Sequence, residues 1–162
     1  MKIKYKYSLV KKIKNYLLRK ALFKNREKFF KEKLPSYAGL INEYISIDIM
    51  VDGVYDLRSI DGVIHLLKSK NLDFKFVTLI DIGANIGNHS VYMSKYFQNV
   101  IAFEPNPFTF ELLKINTSQY SNIEINNFGL SSAESNLFLS EDKRNLGGSR
   151  IYNNRSDIPE NL

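Results

Sequence analysis

A chain of 162 residues, 44% hydrophobic and 25% charged, has the length and balance of a single globular domain. It contains no cysteine, which excludes disulfides, thiol nucleophiles and thiolate metal sites and is compatible with a reducing cytoplasm. The net charge of +6 divides unevenly: residues 1–33 hold 13 Lys/Arg and 2 Asp/Glu, for +11, and the remainder holds 10 and 15, for −5. Two histidines, His65 and His89, are too few and too scattered to suggest a metal centre.

The arm comes first. Leu9, Ile13, Tyr16 and Leu17 fit one helical face, and Ser8 stands where an N-cap would. Lysines break every apolar run, so there is neither a membrane span of ~20 residues nor the core of a signal peptide. Residues 1–34 therefore read as a basic amphipathic helix. It is either solvated and docked on the domain, or in peripheral contact with a membrane through residues 1–33. Nucleic acid is the least favoured partner.

Leu34-Pro35-Ser36 reads as the boundary to a second region, 35–162, because proline disfavours helix in the residue before it. Glu43 to Val51 alternates as a strand would, and Asp52-Gly53 reads as a turn. Ile60, Val63, Ile64 and Leu67 then give the buried face of a helix over 60–70. His65 sits on that helix as a packing or surface residue.

Val77 to Ile82 is a near-continuous apolar run, as in a strand buried on both faces of a parallel sheet. It enters the loop Gly83-Ala84-Asn85-Ile86-Gly87-Asn88 and then a helix over 89–97. Strand, glycine loop and helix make the entry to a nucleotide-type pocket. Asn85 and Asn88 stand where a dinucleotide fingerprint wants its second and third glycines, and no P-loop lysine is present. A second strand, Val100 to Phe103, delivers Glu104 about 20 residues after the loop, the distance at which a carboxylate meets a ribose. A solvated acid favoured by the next helix's dipole is the other reading of Glu104. His89 is assigned to packing or loop support. Asn106 and Pro107 start a helix over 108–119 with Phe108, Leu112 and Ile115 inward. Ile123–Phe128 is a third strand, Asn136–Ser140 a peripheral antiparallel fourth, and the chain beyond Glu141 reads as loop.

Asp81-Ile82-Gly83-Ala84-Asn85-Ile86-Gly87-Asn88-His89 followed by Phe103-Glu104-Pro105 resembles the FkbM-type methyltransferases. The likeness runs from about Tyr44 to Ile151 and includes Asn127-Phe128-Gly129 and Asn145-Leu146-Gly147-Gly148. It implies an α/β fold with a Rossmann-like class I methyltransferase sheet, S-adenosyl-L-methionine as cofactor, and a hydroxyl on a sugar, glycan or natural product as acceptor. Gly83 and Gly87 would then let the loop pass under the methionine portion. Asp81 would orient the loop and the cofactor ammonium, or simply cap the turn. Asn85 would bond the loop backbone or the cofactor carboxylate, or tolerate left-handed geometry. Asn127 and Phe128 would meet adenine.

The family's next landmark, a strand of the type Lys-Ile-Asp-x-Glu-Gly, does not occur before Leu162. The expectation is an incomplete sheet holding the first three core strands, from a fragment or frameshifted product, with strand 77–82 at an edge and no catalytic base in view. The alternatives are a nucleotide-cofactor oxidoreductase, or a non-catalytic remnant that binds an anionic surface through its basic arm.

Overall fold

A computed structural model describes residues 9–32, 34–133, 135–141 and 146–159. Residues Met1–Leu34 and Pro35–Leu162 form separate compact units. In the first, Leu9–Glu32 is a 24-residue helix, α1; the expected cap, Ser8, lies outside the described residues. At 100° per residue, Leu9, Val10, Ile13, Tyr16 and Leu17 fall on one arc of about 120°. Leu18 and Leu22 point elsewhere, so the amphipathic face belongs to the first half of the helix.

The second unit has a helix where a strand was expected. Residues 44–52 form a helix, α2 (Tyr44–Asp52), where the alternation of Ile45, Ile47 and Ile49 suggested a strand. Capping decides it. The buried Glu43 carboxylate accepts from Ile45 N and Ser46 N, satisfying two of the free donors at the helix start. Gly53, at φ 87°, ends the helix and donates its N–H to Ile49 O. Ile45 and Ile49, four apart, then share a face, and Ile49 packs on Ile86. The next helix, α3 (Leu57–Ser69), buries Ile60 and Ile64 as its periodicity predicts; Val63 and His65 are exposed.

The sheet follows: β1 (Thr78–Ile82), β2 (Asn99–Phe103) and β3 (Ile123–Asn126), parallel, in the order β1-β2-β3. Two helices connect them, α4 (Asn88–Met93) and α5 (Pro107–Thr117). This is an α/β, Rossmann-like architecture with three parallel strands among the described residues. A short antiparallel pair, β4 (Phe138–Ser140) and β5 (Arg150–Tyr152), lies apart. β4 was expected; β5 falls where the polar sequence after Glu141 read as loop.

Two expectations about burial fail. First, β1 is covered on one face only. Side chains of Leu79 and Asp81 share the face of Val100, Ala102 and Ile125, where Ala102 packs with Leu113 of α5. The other face leaves Ile80 57% and Ile82 65% exposed. Second, α5 buries Thr109, Leu113, Asn116 and Thr117, leaving Phe108 and Ile115 exposed and Leu112 half-buried. The buried face is shifted by one residue, and two of its polar members, Asn116 and Thr117, bond the backbone while buried. Thr117 Oγ1 donates to Leu113 O, and Asn116 bonds three backbone groups. Apolar positions alone mark the wrong face of this helix.

Candidate functional site

The loop after β1 is fixed by backbone geometry. Phe103 O, at the end of β2, accepts from both Gly83 N and Ala84 N at 2.9 Å. Gly83 has φ +78°, and a Cβ there would meet nothing within 4 Å, so the turn faces open space. Gly87 has φ +89° and serves packing: a Cβ would stand 2.8 Å from Leu113 Cδ1. Between them Asn85 adopts φ 52°, left-handed geometry, while its Oδ1 accepts from Ile86 N at 2.6 Å. Both sequence readings of Asn85 as a loop residue thus hold together.

Glu104 leaves the end of β2 and turns back on this loop. One carboxylate oxygen accepts from Asn85 N at 2.8 Å; the other accepts from Asn106 N at 2.8 Å. Its backbone O accepts from Asn127 Nδ2 at 2.8 Å. At 7% exposure it is not the solvated acid that a helix dipole alone would favour. Burial pushes its carboxyl upward; the N–H groups of Asn106 and Asn85 oppose this, and the Asp81 charge adds to the rise. Each oxygen accepts one bond from the chain and keeps a further acceptor position.

Three cavities border the loop, Asp81 and Phe128. Gly83, Asn85, Ile86, Ile45, Tyr55 and His89 are among those lining one of about 270 Å³. Asp81 lines a neighbouring one of about 180 Å³ with Leu79, Met93 and His89; its Oδ2 accepts from Ser90 Oγ at 2.6 Å, which ties β1 to α4. Phe128 lines a third, of about 570 Å³, with Pro105, Leu137 and Ile151. The Phe128 ring meets Phe103 edge to face at 5.3 Å. Asp81, Gly83, Asn85 and Glu104 are therefore brought together around one turn. Asn127 touches Glu104 from the β3 side, Phe128 opens on another cavity, and Gly87 is buried under the turn.

His89, assigned to packing or loop support, is exposed at the start of α4 and borders two cavities, which sets aside the packing alternative. Sequence reasoning named none of the contacts that hold the upstream segment against the loop. Asn88 Oδ1 accepts from Tyr55 N at 3.0 Å and its Nδ2 donates to Tyr55 O at 2.9 Å, holding Tyr55 beside the loop. Asn116 does the same for Ala38, accepting from its N and donating to its O, and also donates to Ile86 O at 2.7 Å. Tyr37 donates its hydroxyl to Asn88 O. The signal was Asn88 itself. It was noticed as a missing glycine, yet a carboxamide carries a donor and an acceptor side by side and can pair with both backbone groups of a neighbouring residue.

No family model matches the chain. Over 85 residues it is 38% identical to the hexuronic acid methyltransferase AglP of Haloferax volcanii, a stretch covering 52% of this chain and 34% of that protein. The match thus spans about a third of that curated relative's length. Taken with the Rossmann-like sheet, the likeness relates this chain to methyltransferases.

Proposed function

We propose that the chain belongs with the FkbM-type S-adenosyl-L-methionine-dependent methyltransferases and methylates a hydroxyl on a sugar, glycan or natural product. The observation that carries this reading is Glu104: a buried carboxylate at the carboxyl end of β2, aimed at a glycine turn that opens on empty space. The residues present fit such a cofactor. Glu104 would accept the vicinal ribose hydroxyls with its remaining acceptor positions. The open side of Gly83, with Asn85, would cradle the methionine portion, and Gly87 would close the turn. Asp81 would hold the ammonium, directly or through water. Asn127 and Phe128 would border adenine. The cofactor supplies an electrophilic methyl group, displaced in line by the acceptor oxygen. These residues bind and orient, and exclude water from the transfer; none is assigned as the base.

The sugar class of acceptor is supported by the relative that methylates a hexuronic acid. The lack of cysteine suits a cytoplasmic setting. Calorimetry and thermal melting of the 162-residue chain with S-adenosylhomocysteine and with NAD test the reading. Binding and stabilisation by the homocysteine compound alone are expected. Stabilisation by NAD alone would move the chain to the oxidoreductases, and binding of neither would leave a non-catalytic remnant.

A further inference from the structure

No residue of α1 is assigned to the proposed cofactor site, and the helix differs in composition from the chain after it. Among residues 9–32 there are nine Lys/Arg and two Glu, a net +7, and both acids, Glu27 and Glu32, lie in the last third. Leu9, Val10, Ile13, Tyr16 and Leu17 share one arc and are 51–76% exposed. Single exposed apolar side chains are ordinary, but five on one arc of a helix are a surface that needs cover. Lys12 and Lys14 stand on the two flanks of the arc, about 40° beyond its edges. Lys20 falls within it, one turn further on, where a long stem can lie along apolar surface with its ammonium in water. No described helix is long and apolar enough to cross a membrane.

We propose that α1 lies in the interfacial plane of an anionic lipid bilayer, with the Leu9–Leu17 arc in the acyl boundary and its lysines on the headgroups. Two observations favour lipid over nucleic acid. Phosphates would reward the charge but not exposed leucine, valine and isoleucine, whereas a bilayer rewards both. The rest of the chain carries a net −5, so an anionic surface attracts the arm and repels the remainder. The attraction is therefore a local property of the arm and not a general basicity of the protein.

The test is co-sedimentation of the full chain with neutral phosphatidylcholine vesicles and with vesicles containing phosphatidylserine. Binding to the anionic vesicles only, weakening as salt is raised, is expected. Lys12→Gln with Lys14→Gln should lower the partition coefficient about 30-fold, at ~1 kcal/mol per lysine. Ile13→Ser with Leu17→Ser should lower it by a similar order while leaving every charge in place. Far-UV circular dichroism of the wild type should show helix content rising on the vesicles. Equal partition to both vesicles, no binding, or indifference to both double variants would overturn the proposal. So would tighter binding to single-stranded RNA or duplex DNA than to anionic vesicles.

Discussion

Both faces of the sheet carry apolar side chains in sequence, and they are unequal in structure. On one face Val100 is fully buried, and Ala102 packs with Leu113 of α5. On the other, Ile80 and Ile82 are more exposed than not, and Phe103 is covered in part by Phe128. Alternate residues of one strand pass from the covered face to the open one. A continuous apolar run therefore reports a strand able to be buried twice, and only the packing shows which face is closed. The site lies with the closed face. Glu104, the glycine turn and the asparagine clamps all meet where α4 and α5 begin or pack.

The sharpest way to break the contrast is to release a covering helix. Asn116→Leu removes three bonds and leaves the Ala38 and Ile86 backbone groups without partners, costing about 4 kcal/mol at 1–3 kcal/mol per unmatched buried group. Urea unfolding of the chain measures it; a loss below ~1 kcal/mol would show that water replaces the clamp. Next comes a matched pair across the sheet. Val100→Ala on the covered face should cost about 2 kcal/mol, and Ile80→Ala on the open face less than about 0.5 kcal/mol. Equal losses would mean that the open face is covered in solution.

The smallest effect is a pH slope. Glu104 has its carboxyl raised in the fold by burial, so the native state holds its proton to higher pH than the unfolded chain. The stability it contributes is present at low pH and falls as the pH rises from the ordinary value of 4.5 through the raised one. The wild type should lose stability relative to Glu104→Gln across that window. A pH-independent difference in urea midpoint would show that burial does not govern this carboxyl.

Much of this was legible from residue order. The β1 apolar run, the glycine turn, the second strand ending in Glu104 and the Asn106-Pro107 helix start each follow from local chemistry, and each appears within a residue or two of its expected place. What was not legible depends on contacts distant in sequence or on buried polar groups. The helix at 44–52 turns on whether Glu43 reaches back over two N–H groups, which alternation cannot reveal. The α5 face turns on polar residues that bond the backbone while buried. Tyr55 is held at the loop by Asn88, 33 residues away.

The central claim is that Glu104 holds the cofactor's ribose while the turn at Gly83 takes the sulfur-bearing tail. Titration calorimetry of S-adenosylhomocysteine against the wild type and Glu104→Ala tests it directly, with circular dichroism confirming that both are folded. A ribose bond to this carboxylate requires affinity to fall by about 10- to 100-fold in the variant, the range for a hydrogen bond to a charged group. Unchanged affinity in a folded variant would contradict it.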